Sequence, residues 1–175
     1  MGLEVNQIMK LRQLHKKDTP LILEWMKDSE INHFFRFDPN VITIESIAEF
    51  IEKAMNSQTD RHYAIVDDND TYLGTISLKN IDYLSNNAEY AISLRKSVIG
   101  TGVAFFATKE LLKIAFYKLK LHKVYLNVLS DNIRAIIFYE KMGFVFEGEF
   151  VDHLFIRDQY RSLKWYAIVR QLNAK

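Results

Sequence analysis

The segment "ISLRKSVIGTGVAFFATKELLKIAF", residues 92 to 116, places Gly100 and Gly102 immediately before a long helical pattern, in a chain of 175 residues with only six glycines. A strand that passes through a short glycine-containing loop into a helix start presents several backbone N–H groups at the positive end of the helix dipole, a setting that favours phosphate or pyrophosphate. With no Cβ, Gly100 and Gly102 would let backbone approach such an anion closely. No Lys-Ser or Lys-Thr follows, as a P-loop requires, and the third glycine of a dinucleotide fingerprint is missing. Taken alone, the glycine pair reads equally well as a plain turn and helix cap. The other chemistry-bearing types exclude more than they suggest. His15, His33, His62, His122 and His153 show no ligand spacing, and the absence of cysteine removes thiolate zinc sites, disulfides and a cysteine nucleophile. No metal site is expected.

The elements that must position this loop follow from periodicity. Ile8 to Leu14 reads as a first strand, after which Asp18 offers an N-cap side chain and Pro20 an early helical position for a helix through Trp25 and Met26. "INHFFRFDP" is an aromatic-rich connection, and Thr43 caps a second helix that sets Ile47, Phe50, Ile51 and Ala54 on one face. "HYAIVDDNDTYLGTISL" is a hairpin of two strands around an acidic turn. "AEYAISL" is a fourth strand feeding the glycine loop. In the helix beyond, Lys109, Lys113, Tyr117 and Lys120 form a polar stripe on an otherwise apolar surface. "HKVYLNVL" is a fifth strand, "NIRAIIFYEKM" a helix closed by Gly143, and "FVFEGEF" and "RSLKWYAIVR" two more strands.

Composition narrows the class. At 49% hydrophobic and 26% charged, with no repeat, linker or low-complexity stretch, residues 1–175 read as one domain. The net charge is +1 with Lys and Arg spread throughout, so there is no nucleic-acid footprint. The amino end carries charges too early for a signal peptide, and no apolar run reaches a membrane span's length, so a cytoplasmic protein without a membrane partner is expected.

Strand four, the "VIGTGVA" loop, strand five and "SDNIRAIIFYEKMGF" together resemble the GNAT superfamily of acetyl-CoA-dependent N-acetyltransferases, from about residue 8 to 170. The family loop pattern is Gln or Arg, two residues, Gly, one residue, then Gly or Ala; here it falls on Ser97, Gly100 and Gly102, with Ser97 departing from it and Arg95 as a substitute cation. A second element is met by Asn132, Ala135, Tyr139, Gly143 and Phe144. The resemblance implies a mixed α/β (α+β) fold with a mostly antiparallel sheet of about seven strands, splayed between strands four and five, and flanked by about four helices. It also implies acetyl-CoA, with its pyrophosphate on backbone donors of Ile99, Gly100, Thr101, Gly102 and Val103, its pantetheine arm along Ala91, Ile92, Ser93 and Leu94, and a contact from Asn132.

Acetyl transfer from a thioester to an amine needs an uncharged nucleophile, a polarised carbonyl and a proton for the departing thiolate. The resemblance places the Tyr139 phenol near the sulfur as that proton donor; core packing is its alternative. Glu89 on strand four could accept the ammonium proton, and Ser130 at the end of strand five could relay one or be a turn residue. Asn132 is equally an N-cap. The acceptor amine would meet "EINHFFRF" and the final hairpin, which carry Phe34, Phe35, Arg36, His153 and Arg157, aromatic and basic rather than acidic. Aromatic faces stack on nucleobases and sugars, and arginines pair with phosphates. These segments resemble the branch that acetylates amino sugars on nucleotide carriers, as in pseudaminic acid synthesis, and beside it the ribosomal-protein amino-terminal acetyltransferases. The expected partner is thus a small-molecule amine, with a homodimer as an open assembly. A catalytically silent acyl-CoA-binding module is the competing class.

Overall fold

A computed structural model describes residues 9–171 of the chain, and in it the seven strands form one sheet of order β1-β2-β3-β4-β5-β7-β6. The strands are β1 (Lys10–Gln13), β2 (Arg61–Val66), β3 (Tyr72–Asp82), β4 (Asn87–Leu94), β5 (Lys123–Leu129), β6 (Val145–Ile156) and β7 (Gln159–Val169). The expected first strand begins at Ile8, which lies outside the described residues. Helices α1 (Thr19–Lys27), α2 (Ser29–Asn32) and α3 (Ile44–Asn56) come before the β2–β3 hairpin; α4 (Val103–Lys113) and α5 (Ile133–Lys141) follow β4 and β5. The short α2 sits within the aromatic connection and has no counterpart in the sequence reading.

Helix starts follow local chemistry. Thr43 Oγ1 accepts from the Ser46 N–H at 3.2 Å while Ser46 Oγ accepts from the Thr43 N–H at 3.1 Å, two orphan donors satisfied at the start of α3. Asp18 does not cap α1. Its carboxylate, 3% exposed, is held instead by the Arg12 guanidinium through two bonds of 2.8 Å. The polar stripe Lys109, Lys113, Tyr117 and Lys120 is exposed as expected, while Val103, Ala107 and Leu111 are buried. Helix α4 then widens into a π turn over Ile114–Lys118, which side-chain periodicity does not reveal.

Two cores sandwich the sheet. Ile76, Leu78, Ala88, Tyr90 and Val124 pack beneath Leu111 of α4 and Ile136 of α5. Ile22, Trp25, Ile47 and Ile51 from α1 and α3 cover Ala64, Val66 and Tyr72 on the other face. The feature that matters for function is the junction of β4 and β5. It is parallel and lasts only three residue pairs, Asn87↔Lys123, Ala88↔Val124 and Glu89↔Tyr125. Beyond Glu89 the strands part, because β4 stays with β3 through Leu94 while β5 follows β7 through Leu129. A V-shaped gap opens in the middle of the sheet.

Candidate active site

The gap is the floor of a cavity of about 750 Å³, walled by β4, β5, the glycine loop, α5 and α2. From Tyr90 to Leu94 the cleft edge of β4 has no strand beside it, so its backbone groups can pair with an extended ligand as a strand would. Ala91, Ile92, Ser93 and Leu94 all line the cavity.

The loop above this edge is turned by two left-handed glycines, Gly100 at φ +82° and Gly102 at φ +92°. A side chain at either position would meet nothing within 4 Å, so it is the backbone conformation that requires glycine here. Two of the expected donors are already committed, since the Ile99 N–H donates to Lys96 O at 3.2 Å and the Thr101 N–H to Val98 O at 3.3 Å. Val103 is buried and, with Thr101, lies outside the cavity lining. The first helical hydrogen bond runs from Phe106 N–H to Gly102 O. Gly100, Gly102, Val103 and Ala104 therefore keep free N–H groups among the described residues, a cluster at the positive end of α4. Arg95 supplies no cation to it: its guanidinium grips Glu24 at 2.9 and 3.1 Å on the α1 side.

Tyr139 and Glu89 flank the gap from opposite faces of the sheet. Tyr139 is half-buried on α5 among Tyr90, Phe138 and Phe144, with ring centroids 5.8, 5.5 and 5.9 Å away. Burial alone pushes its phenol up to about 12, and no hydrogen bond contributes. The side chain lines the cavity, so the hydroxyl is protonated and uncommitted at neutral pH. Glu89 stands at the last paired position of the β4–β5 junction, where its carboxylate accepts from Lys79 Nζ at 3.0 Å, Asn80 Nδ2 at 3.0 Å and Asn127 Nδ2 at 3.3 Å. Asn132 is an N-cap, its Oδ1 accepting from the Ala135 N–H at 3.3 Å, and its amide N–H groups remain available to the cavity it lines.

A model of the acetyltransferase (GNAT) domain matches residues 9–145. The chain belongs to the GNAT acetyltransferase family. It is 28% identical over 160 residues to the spermidine N(1)-acetyltransferase of Vibrio cholerae serotype O1, across 91% of this chain and 92% of that protein. It is 23% identical over 143 residues to the acetyltransferase PseH of Campylobacter jejuni, across 82% and 87% of the two chains. The crystal structure of spermidine N-acetyltransferase from Vibrio cholerae in complex with CoA and spermine superposes with a TM-score of 0.85 at 28% identity, covering 92% of this chain and 95% of that one. This GNAT protein is an acetyl-CoA-dependent N-acetyltransferase. Among the described residues, no helix is long and apolar enough to cross a membrane, and no cluster of His, Asp or Glu could hold a metal ion.

Not every residue singled out in the sequence meets at the GNAT cleft. Ser130 is turned away, donating to Glu149 at 2.5 Å, and does not line the cavity. Arg157 is outside it too: its guanidinium donates to Asn32 Oδ1 at 2.9 Å and lines a neighbouring cavity of about 590 Å³. Phe34 and Phe35 line the cleft but are also packed, Phe34 against Leu129 and Leu163, and Phe35 against Trp25. Arg36 reaches both cavities. Lys79, Asn80 and Asn127 went unnoticed in the sequence, as did Arg134 and Lys141, two cations of α5 at the cleft. The i, i+7 spacing of that last pair was the one available signal.

Proposed function

We propose that this GNAT enzyme transfers the acetyl group to the primary amine of a sugar carried on a nucleotide. The observation that carries the reading is the neighbouring cavity of about 590 Å³. It is walled by Phe35, Phe37 and Phe155, bears Lys27, Arg36 and Arg157 against one carboxylate, Asp38, and shares Phe35 and Arg36 with the transfer cleft. Aromatic walls suit a base, and cations suit a diphosphate. An acceptor seated there extends its amine past Arg36 toward the apex of the gap.

In this reading the free N–H groups of Gly100, Gly102, Val103 and Ala104 hold the pyrophosphate, and the β4 edge from Ala91 to Leu94 holds the pantetheine arm. Bound acetyl-CoA supplies the thioester. Glu89 accepts the ammonium proton, directly or through one water, and Tyr139 gives its proton to the departing sulfur. The two groups work from opposite faces of the sheet, so the amine enters on one side and the thiol leaves on the other.

A polyamine acceptor is the second reading, favoured by the spermidine acetyltransferases among the relatives. Against it, the carboxylates lining the cleft are already paired, Glu30 with Lys96 at 2.7 Å and Glu89 with Lys79 at 3.0 Å. Arg36 has no carboxylate partner among the described residues. Among the described residues, Lys27, Arg36 and Arg157 outnumber Asp38, the one carboxylate lining the neighbouring cavity, so a polycation would meet net positive charge there.

Acetyl-CoA consumption across nucleotide-linked amino sugars, spermidine and short peptides decides between the readings. An Arg36→Ala variant should raise KM for a diphosphate-bearing acceptor about tenfold or more, the worth of a charge-assisted hydrogen bond, with a larger effect at low salt. Turnover of spermidine or a peptide with every nucleotide sugar ignored refutes the sugar reading.

A further inference from the structure

Consecutive residues of a β-strand point to opposite faces of the sheet. Lys79 and Asn80 are consecutive residues of β3, yet both hold the same carboxylate: Lys79 Nζ donates to Glu89 Oε1 and Asn80 Nδ2 to Glu89 Oε2, each at 3.0 Å. Lys79 is placed to do so by register, since it pairs directly with Glu89 across β3 and β4. Asn80 is not. It reaches the same face because its backbone is left-handed, at φ +51°, and because the β3–β4 register shifts between Lys79 and Asp82. This is a bulge, the device by which strands re-aim a side chain, and it is concentrated near active sites.

The bulge is anchored from behind rather than left to its own preference. The Asn80 N–H donates to Asp60 Oδ1 at 2.8 Å and the Ile81 N–H to Thr59 O at 2.8 Å, both in the connection between α3 and β2. Asn tolerates the left-handed region better than most residues, and here its surroundings hold it there. What that conformation serves is one carboxylate. Asn127 adds a third donor from β5, at 3.3 Å to Oε1, and so spans the gap. A carboxylate offers about four lone-pair directions. Both on Oε1 are filled by Lys79 and Asn127, and one of the two on Oε2 by Asn80, which leaves one open.

We propose that the Lys79–Asn80 bulge is the positioning device of the acceptor site. It holds Glu89 with a single lone pair of Oε2 exposed, so that an incoming amine, or the water in front of it, meets the base in one geometry. Lys79 and Asn80 are positioning residues, acting through Glu89. The inference rests on Glu89 being the base in the reading above.

Four single variants and one double variant test it, with turnover, KM, CoA affinity and melting temperature measured together. Asn80→Gly keeps the left-handed backbone and removes the side chain that carries the amide; kcat should fall about ten- to a hundredfold, the range expected when a reacting group loses its orientation. KM for the acceptor, CoA affinity and melting temperature should stay near wild type. Lys79→Met should behave likewise, and Lys79→Arg, which restores the cation, should recover most of the loss. In a Glu89→Gln background Asn80→Gly should have no further effect, because both act through one group. If Glu89→Gln turns over like wild type, the base reading fails and this inference with it. If Glu89→Gln is inactive while Asn80→Gly and Lys79→Met keep wild-type kcat, the base stands and the positioning role is overturned. If kcat falls only in step with melting temperature, the bulge is structural and the inference is equally overturned.

Discussion

Replacing Tyr139 with Phe tests the chemistry with the least collateral change. The variant removes one oxygen and keeps the ring contacts with Tyr90, Phe138 and Phe144. Because no protein group bonds that hydroxyl, its loss strands no buried partner, and stability should change by less than about 1 kcal/mol, or about 2–4 °C in a domain of this size. The effect on turnover is of another order. A hydrogen bond to a developing thiolate is charge-assisted and worth about 1.5–3 kcal/mol, and at about 1.4 kcal/mol per decade that is about ten- to a hundredfold in rate. CoA affinity should change by less than about twofold. Thiol release can be followed directly, since a chain without cysteine adds no background to a thiol reagent. The experiment belongs under single-turnover conditions, where product release does not mask chemistry. The phenol carries its own pH signature. Raised from 10 to about 12 by burial, it stays protonated through pH 10, so the rate should show no alkaline limb of its origin below that point. Its preference for the neutral form contributes stability that is fully present below pH 10 and lost as pH rises toward 12. Wild-type turnover in a folded Tyr139→Phe, or a loss matched by equal losses in stability and CoA affinity, would refute the acid role.

Other perturbations follow from the same geometry. Gly102→Ala meets no steric obstacle, but at φ +92° it should cost about 1–2 kcal/mol or re-aim the loop N–H groups, weakening CoA binding several-fold in calorimetry. Gly74→Ala would set a Cβ 2.5 Å from Ser93 O and 2.6 Å from Leu94 Cδ2. It should push β4 at the edge proposed to hold the pantetheine arm, costing about 1–3 kcal/mol and loosening CoA together with the fold. Arg12→Met leaves the buried Asp18 carboxylate without its partner, a loss of about 3–5 kcal/mol that should lower the melting temperature by about 10 °C. Adding Asp18→Asn should return part of it; an unchanged melting temperature in the single variant would show that the pair contributes nothing.

What residue types alone determined is the part written in local physics. Alternation and β-branching placed the β2–β3 hairpin, β4, β5 and β7; Thr43 marked the start of α3; and two glycines before an apolar helix marked a left-handed turn, because few other residues take that conformation. The motif running from Asn132 through Tyr139 to Phe144 carried the family. Only the tertiary structure decided the rest. Arg95 looks like a free cation in sequence, yet it is consumed by Glu24, distant in the chain, while Arg157 keeps its charge but is turned by Asn32 into the neighbouring cavity and away from the cleft. Ser130 lies in the turn just past the end of β5, where its hydroxyl donates to Glu149 of β6 instead of entering the cleft. Ile99 and Thr101 lose their N–H groups to the 3₁₀ turn beneath them, which no side-chain pattern encodes. The grip on Glu89 is the sharpest case. Lys79 and Asn80 lie next to each other in the chain and ought to face apart, and it is a backbone bulge, pinned by Asp60 and Thr59 from another part of the chain, that turns them onto one carboxylate. Periodicity reports which face a side chain takes in a regular strand; it is blind where long-range hydrogen bonds make the strand irregular.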